Sequence, residues 1–445
     1  MPWTDLRSYL AYLEEKGDLV HISNAVSTRF EVAAYARKSS DSNGPAFMFD
    51  NVTAYPGWRV LGALYGSPGR IVDGLQSDRK AALHLYIRSR TDRIQPRMVD
   101  CGECQEVVHT GAEVDLYQLP VCTHAERDAG PFITAGVAVV KDPASGARLL
   151  GIHRMQLHGK ERLGIFADSP RIRRAVADAR ERGQRLEIAV AIGVVPAVAI
   201  GSVTKVDYGV DKFGVAGALQ GSPIDLVKCR TVDVEVPATS EIVIEGEIPP
   251  MEKQIEAPFG EFPGTYCGKT ESPIVKVKAI THRKNPIYQT LLAGMPTTEN
   301  HLMLWLPRAA EVYEAARMGC PEVVDLRMRG NQEFDTVIAV RKRLDREGLN
   351  VIMSVLGSTG VKYCTVVDDD IDIYNDRDIL WAMETRVQPD KDVHIFPMMV
   401  GAPLDPSTSL KWQTSKMGMD ATLPSDADRE KFAKVLVPGV DQASW

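Results

Sequence analysis

The sequence lacks the features of a membrane protein or a nucleic-acid-binding protein. No window approaches the roughly eighteen consecutive apolar residues of a membrane-spanning helix, and the N-terminus lacks the basic start and apolar core of a signal peptide. The net charge is −7 over 445 residues, and no basic run is present that would attract nucleic acid. We therefore expect a cytoplasmic protein that binds neither membranes nor nucleic acid.

Cysteine is scarce, and its pattern does not indicate disulfides. Seven cysteines, an odd number, are spread over the chain, which favours reduced thiols. Cys101 and Cys104 form one CxxC pair, but no second pair follows at zinc-finger spacing, so a zinc or redox site is not the favoured interpretation. Internal repeats are also lacking. The length allows two or three domains with large cores.

Residues 1–114 have the pattern of an α/β domain. Thr4 is placed to cap a helix whose apolar residues recur at helical spacing and which ends at Gly17. The polar stretch 97–115 is interpreted as a linker. Further helices are predicted over 29–38 and 80–92, and strands over 18–22, 46–49 and 59–63.

Residues 115–296 are rich in strands and are expected to form a β-barrel or sandwich core. One helix interrupts them over 171–182, with Ser169 as its N-cap, Pro170 in its first turn and Gly183 after its end. Runs rich in valine and isoleucine predict strands over 133–140, 186–192, 197–200, 231–236, 241–245 and 274–280.

Residues 297–425 return to an α/β pattern, and a helical tail is predicted over 426–445. Asp368, Asp369 and Asp370 follow one predicted strand. They suit either a divalent-cation site or the solvated end of a strand, and the second is the simpler interpretation. Helices are predicted over 302–318, 350–356 and 377–385, and strands over 323–327, 337–340 and 363–367.

Two glutamates stand out in the stretch Ile255–Gly264. Glu256 and Glu261 are five residues apart, and Pro258 and Gly260 between them favour a fixed turn over a helix. Carboxylates in a stiff, partly apolar loop can differ in protonation, one ionised beside a cation and one protonated by burial. The spacing alone allows either a catalytic pair or two incidental surface acids.

An arginine lies in the apolar segment Gly151–Gln156, after a turn at Asp142–Gly146. Arg154 would need a carboxylate partner if it is buried, because an unpaired guanidinium is costly to remove from water. Glu256 or Glu261 could supply that partner. Alternatively, Arg154 and its neighbour face outward from a strand.

Several ordered motifs resemble the UbiD family of reversible carboxylic-acid decarboxylases. The resemblance implies an N-terminal α/β domain (1–114), a central split β-barrel that binds prenylated FMN (115–296) and a C-terminal α/β domain that oligomerises (297–425). The motifs cover nearly the whole chain and comprise Asp142–Gly146, Ile152–Gln156, Gly217–Cys229, Val236–Gly246, Ala257–Glu261, Asp369–Asp372 and Lys416–Thr422.

The family's Arg-Glu-Glu catalytic set falls on Arg154, Glu256 and Glu261. By this resemblance Arg154 binds the substrate carboxylate, Glu256 holds Arg154 and stays ionised, and Glu261 delivers a proton. Loss of carbon dioxide from an sp2 carbon leaves an electron pair that no ordinary side chain can accept. The flavin must therefore carry that step.

The metal ligands that the resemblance leads us to expect are altered. The family binds the flavin phosphate through a divalent metal held by Asn, His and Glu, beside a monovalent cation. Here the Asn and His positions are Leu149 and Arg171, and only Glu241 remains. Leucine does not bind metals, and arginine stays protonated. Manganese is therefore disfavoured, whereas a potassium ion held by Glu241, Ser202 and Thr204 is still an expectation.

Two interpretations of this change are open. In the first, Arg171 pairs with the phosphate from the first helical turn after Pro170, and Lys416 adds a second positive charge. In the second, the cofactor site is lost and the chain is a non-catalytic flavin-binding or scaffold subunit of a carboxylase. The intact catalytic set favours the first.

The resemblance also places Gly151, Ile152 and His153 against the cofactor. Glu299 to His301 lie where related aromatic-acid decarboxylases carry a Glu-x-His element, so His301 is either a substrate-binding residue or a helix cap. The Ile-His-Arg form favours an aromatic or heteroaromatic acid as substrate, with an α,β-unsaturated acid as the alternative. A flavin prenyltransferase that supplies the cofactor and a homodimer or larger homo-oligomer are the expected partners.

Overall fold

The chain divides into two compact units, Met1–Ala310 and Glu311–Trp445. The computed structural model describes residues 3–167, 169–256, 258–402, 404–409 and 412–439. Among the described helices, none combines the length and the apolar character needed to cross a bilayer. All seven cysteines are free in the structure.

Three helices of the first unit, over 68–74, 196–202 and 212–220, are not predicted as helices by the sequence pattern. The helices of this unit are α1 (Leu6–Glu15), α2 (Glu31–Ser42), α3 (Pro68–Gly74), α4 (Arg79–Ser89), α5 (Pro170–Glu181), α6 (Pro196–Ser202), α7 (Lys212–Gln220) and α8 (Glu299–Met303), and α9 (Trp305–Gly319) runs across the division.

The strands of the first unit lie in three sheets: a four-stranded sheet, a three-stranded sheet and one of ten strands. In chain order the strands are β1 (Leu19–Ile22), β2 (Ala46–Phe49), β3 (Arg59–Gly62), β4 (Arg97–Met98), β5 (Val107–Thr110), β6 (Phe132–Ile133), β7 (Val137–Lys141), β8 (Arg148–Ile152), β9 (Met155–Gly159), β10 (Arg162–Ile165), β11 (Leu186–Ile192), β12 (Asp225–Lys228), β13 (Glu235–Pro237), β14 (Ile242–Ile248), β15 (Lys253–Glu256), β16 (Thr270–His282) and β17 (Ile287–Gln289).

The ten-stranded sheet carries the largest apolar core. Its path runs β6-β9-β10-β16-β14-β11-β7-β8, with β5 and β15 paired to β16. Leu149, Ile188 and Ile244 from this sheet belong to one core with Ile172 and Ala175 of α5. Within the described residues the two ends of the path, β6 and β8, do not pair with each other, so no closed barrel forms. The α/β character is confirmed, whereas the split barrel stays a prediction.

Four local predictions in this unit are wrong. The N-cap of α1 is Asp5, whose carboxylate accepts the Ser8 N–H at 2.8 Å, and not Thr4. Residues 197–200 lie in the helix α6 and not in a strand. The sequence pattern could not show this, because a wholly buried apolar run has no period that separates a strand from a helix. Of the strand predicted over 231–236, only the last two residues lie in a strand, β13. The Thr231 N–H donates to the Glu245 side chain at 2.6 Å and not to a neighbouring strand. The supposed linker 97–115 contributes β4 and β5.

The second unit is built on a five-stranded sheet of order β18-β19-β20-β22-β21. Its strands are β18 (Val323–Arg329), β19 (Asp335–Val340), β20 (Tyr363–Asp368), β21 (Val393–Val400) and β22 (Gln413–Ala421), and its helices are α10 (Glu347–Ser358), α11 (Asp376–Arg386) and α12 (Pro389–Asp392). In the predicted helical tail, the described residues 426–439 form a single 3-10 turn, Arg429–Phe432, while 440–445 lie outside the described residues.

The three aspartates after β20 are held by arginines. Arg386 contacts Asp368 at 3.1 Å and Asp370 at 2.6 Å, and Arg341 contacts Asp369 at 2.7 Å. The hydrogen bond from Arg386 lowers the pKa of Asp370. The described part of the chain contains no cluster of three side chains suited to a metal ion. Ion pairs with Arg341 and Arg386 therefore account for the charge of these three aspartates, and a bound cation is not needed to explain it.

An ion pair between partly exposed Arg7 of α1 and buried Glu241, directly before β14, joins this helix to the large sheet. Arg7 Nε and Nη2 donate to the two carboxylate oxygens of Glu241 at 2.7 and 2.8 Å. The Ile287 N–H donates to the same carboxylate at 3.1 Å, and Arg283 lies 3.6 Å from it. Glu241 is completely buried, so its charge depends on these partners.

Replacing Arg7 with methionine should destabilise the fold far more than replacing Lys16 on the same helix. Methionine leaves the Glu241 carboxylate buried without its bidentate partner, at a cost of about 3 kcal/mol. Lys16 forms a more exposed pair with Asp73, for which about 0.5 kcal/mol is expected. Chemical denaturation of both variants measures the free energy of unfolding. Equal losses would contradict the role assigned to Arg7.

Candidate active site

Arg154 lies directly after β8, where the chain turns toward β9. The antiparallel pairing of β8 with β7 extends to Ile152, so the following residues leave the sheet from a fixed point. The guanidinium stacks 4.1 Å from the ring centre of Phe166 and lies 5.2 Å from that of Phe259. Its side chain is only 7% exposed, which excludes the outward-facing alternative.

Two carboxylates contact this guanidinium. Glu256, the last residue of β15, accepts a hydrogen bond from Arg154 Nε at 2.5 Å, and its other oxygen accepts one from Ser272 Oγ at 2.8 Å. Glu261 forms an ion pair with Arg154 Nη1. Glu256 is completely buried. The three residues that the sequence singled out are therefore in one buried cluster.

Asp128 holds the loop that carries Glu261. Its two carboxylate oxygens accept the N–H groups of Gly260 and Ala125, both at 2.9 Å. The Ala129 N–H donates to the Pro258 carbonyl at 3.0 Å. Burial raises the pKa of Asp128. Sequence reasoning missed this residue, because a contact across 132 positions leaves no local pattern.

His301 holds the same loop from another side. Its Nδ1 accepts the Thr298 N–H at 2.9 Å, so Nε2 carries the proton and donates to the Phe262 carbonyl at 2.5 Å. Burial lowers the pKa of His301 to about 4. Both ring nitrogens are engaged within the chain. The structure thus supports the helix-cap interpretation and leaves no ring nitrogen free for a substrate.

The residues at the predicted metal position do not suit a divalent cation. Leu149 packs in the apolar core, and Arg171 lies in the first turn of α5. Glu241 is the one carboxylate of the three, and Arg7 already binds both of its oxygens. Metals bind lone pairs on oxygen, nitrogen or sulfur, which leucine and protonated arginine do not offer. This set does not fit manganese.

A cationic cluster lies close to that position. The ammonium of Lys212, at the start of α7, is buried and donates to the carbonyls of Leu150 at 2.9 Å and Ser202 at 2.7 Å. Arg171 Nη2 is buried without a hydrogen-bond partner in the described residues, and Nη1 contacts only the Val210 carbonyl, at 3.5 Å. Burial, with the charge of Arg171 beside it, lowers the pKa of Lys212 to about 7.

His153 borders the same cluster. Burial, with the charge of Lys212 nearby, lowers its pKa to about 4, so the ring is neutral. Nε2 has no hydrogen-bond partner in the described residues. A Cβ at Gly151 would come within 2.7 Å of this atom, so the ring position requires glycine there. It stays a prediction that a cofactor contacts Gly151, Ile152, His153 and Pro170.

The two remaining predicted cofactor residues have partners within the chain. Lys416, in the second unit, donates to the carbonyls of Leu356 and Thr359, both at 2.7 Å. The Ser202 hydroxyl donates to a carbonyl of its own helix, and the Ser202 carbonyl accepts from Lys212, where a potassium ion was expected. The sequence analysis missed Lys212, because α7 itself was not predicted.

Comparison with known families covers most of the chain. The N-terminal domain of 3-octaprenyl-4-hydroxybenzoate carboxy-lyase matches residues 10–89, the Rift-related domain of the same family matches 97–296, and its C-terminal domain matches 301–421.

Individual relatives match from end to end. A phenolic acid decarboxylase of Bacillus subtilis is 31% identical over 100% of this chain and 98% of its own. The UbiD-class enzyme HmfF from Pelotomaculum thermopropionicum, solved with FMN, is 35% identical, with a TM-score of 0.94 and 99% coverage of both chains. An evolved dimeric form of it was solved with prFMN.

A third relative is the vanillic acid decarboxylase of Sedimentibacter hydroxybenzoicus. Its structure is 31% identical, with a TM-score of 0.89 and coverage of 99% of this chain and 98% of its own. The domain matches and these relatives agree with each other. The chain therefore belongs to the UbiD family and is a carboxy-lyase of the UbiD type.

Proposed function

We propose that the protein decarboxylates an aromatic or heteroaromatic carboxylic acid with prenylated FMN, and runs in reverse at high carbon dioxide. The observation that carries the proposal is the buried guanidinium of Arg154 paired with Glu256 and Glu261. The phenolic and vanillic acids in the names of two relatives favour an aromatic acid over an α,β-unsaturated one.

The chain's polar groups fit this cofactor. Arg171 and Lys212 offer buried cationic donors to its phosphate, and neither is paired with a carboxylate in the described residues. His153 adds a buried ring nitrogen without a partner there. When bound, prenylated FMN supplies the electron sink that amino-acid side chains lack. Gly151, Ile152 and Pro170 would border it, as the family resemblance implies.

Arg154 binds the substrate carboxylate in this proposal. Its Nε is held by Glu256, which Ser272 holds in turn, so one edge of the guanidinium is fixed. Nη1 is paired with Glu261. A substrate carboxylate that pairs with Nη1 must therefore displace Glu261 from it. Binding of substrate and release of Glu261 become one event.

Glu261 is then the proton donor. Both oxygens of Glu256 accept hydrogen bonds in a fully buried position, whereas Glu261 is partly exposed and makes its one polar side-chain contact in the described residues with Arg154. A substrate carboxylate adds negative charge beside both glutamates, which favours a proton on Glu261. As the bond to the carboxylate breaks, carbon dioxide leaves, and the electron pair left on the carbon takes up that proton.

The proposal includes a second copy of the chain and a flavin prenyltransferase that supplies the modified flavin. β21 is an edge strand, and its apolar residues Ile395, Met398 and Val400 are 68%, 71% and 77% exposed. An exposed apolar edge of this kind suits pairing with another protein surface. This supports a homodimer or larger homo-oligomer.

Glu261→Gln should retain flavin and lose turnover. The amide keeps the size of the side chain but cannot deliver a carboxylic proton, so we expect kcat to fall by about 10²- to 10⁴-fold. The measurement is carbon dioxide release from a panel of aromatic, heteroaromatic and α,β-unsaturated acids, with protein produced together with a flavin prenyltransferase.

Glu271→Gln is the matched control, because Glu271 lies on the neighbouring strand and is largely exposed. It should retain full activity. Wild-type turnover in Glu261→Gln would rule out the proton-donor role. Flavin-loaded wild-type protein that releases no carbon dioxide from any acid would favour the non-catalytic subunit.

Asp128→Asn should lower kcat with little change in KM. The amide nitrogen cannot accept one of the two backbone N–H groups, so the loop with Glu261 loosens while Arg154 stays in place. Misplacement of a reacting group by about 1 Å can reduce the rate about 10²-fold. Asp115→Asn is the control, since Asp115 accepts the Tyr117 N–H at 3.0 Å in a separate turn. Unchanged hydrogen exchange over 258–262 in Asp128→Asn would contradict this role.

A further inference from the structure

Arg171 and Lys212 are neighbouring cationic side chains that contact no carboxylate in the described residues, and buried Lys416, which also contacts only carbonyls, lies in the second unit. Arg7, Arg154 and Arg386 each contact at least one carboxylate. Arg171 and Lys212 contact only backbone carbonyls in the described residues, through the 3.5 Å bond to Val210 and the bonds to Leu150 and Ser202. A buried ammonium beside a half-buried guanidinium is costly unless a negative charge lies close to both. A small anion would balance these charges.

The donors that such an anion needs are available. An ammonium has three N–H groups, and Lys212 uses two of them. Arg171 Nη2 is buried and unbonded in the described residues. Arg171 lies in the first turn of α5, where Ser169 makes no side-chain cap bond. The backbone N–H groups of that turn therefore add to the positive potential.

We propose that Lys212 is the built-in cation of a metal-free phosphate site, and that it binds the phosphate monoester of the flavin together with Arg171. The proposal rests on the proposed function, because it takes the flavin as the ligand. The carbonyls of Leu150 and Ser202 hold the ammonium next to the Leu149 and Arg171 positions. A bound phosphate would accept hydrogen bonds from Lys212 Nζ and Arg171 Nη2.

The charges support a replacement of the metal. A phosphate beside the ammonium favours its protonated form, so with phosphate bound one lysine and one arginine together provide two positive charges, as a divalent cation would. Glu241, the remaining family ligand, is neutralised by Arg7 and does not compete for Lys212. Lys212 and Arg171 would bind the phosphate as protonated cations. The site therefore needs no side chain that must first release a proton to bind a metal.

The test compares FMN with riboflavin, which lacks the phosphate. Purified full-length protein is titrated with each flavin, and quenching of flavin fluorescence gives Kd, with EDTA or with added Mn²⁺. Wild type should bind FMN more tightly than riboflavin under both conditions. Lys212→Gln keeps amide donors for the carbonyls but removes the charge, so the FMN preference should fall about 10- to 100-fold while riboflavin binding is unchanged.

Arg171→Gln should give the same loss and serves as the second variant if Lys212→Gln does not fold. Arg174→Gln is the control, since Arg174 is on the same helix but is exposed and faces Asp178. An FMN preference that EDTA abolishes and Mn²⁺ restores would overturn the proposal. An undiminished preference in Lys212→Gln, or no FMN binding by wild type, would overturn it as well.

The outcome separates this site from the proposed reaction. Loss of FMN preference in Lys212→Gln supports the phosphate site even if the flavin-loaded wild type releases no carbon dioxide, in which case only the reaction fails. Carbon dioxide release by a wild type whose FMN binding depends on Mn²⁺ would sustain the reaction and overturn the metal-free site.

Discussion

The guanidinium of Arg154 joins three separate segments of the chain. It follows β8, it donates a hydrogen bond to Glu256 at the end of β15, and it pairs with Glu261 from the loop that follows. Because the cluster is buried and lies against Phe166, these charges interact more strongly than they would in water. Removing the charge of Arg154 would leave two carboxylates side by side without their cation, so the surrounding structure depends on this guanidinium.

The neighbouring residues have roles that follow from this constraint. Ser272 fixes Glu256, while Asp128 and His301 hold the loop on either side of Glu261. None of these three supports reaches the guanidinium with a hydrogen bond of its own. They restrict backbone and carboxylate positions, which leaves Glu261 as the member of the cluster with freedom to exchange partners.

Sequence reasoning found the parts of this site that have local causes. The valine- and isoleucine-rich run over 186–192 matches β11, and the high cost of burying an arginine alone correctly indicated a carboxylate partner for Arg154. It missed contacts that depend on folding. Arg7 and Glu241 are 234 positions apart, and Lys212 binds carbonyls, whose positions no side-chain pattern reveals. The strand predicted over 197–200 failed for another reason, since α6 is buried on every side.

Residues 149–154 connect the surroundings of Lys212 with the cluster formed by Arg154 and its two glutamates. The Leu150 carbonyl holds Lys212, His153 lies beside that ammonium, and Arg154 binds the two glutamates. Leu149 points into the core with Ile172 of α5. An apolar residue at this position offers no ligand to a metal, but its packing fixes β8 and so preserves the point from which Arg154 leaves the sheet. An apolar residue at position 149 and an intact Arg154 cluster are therefore compatible within one short segment of the chain.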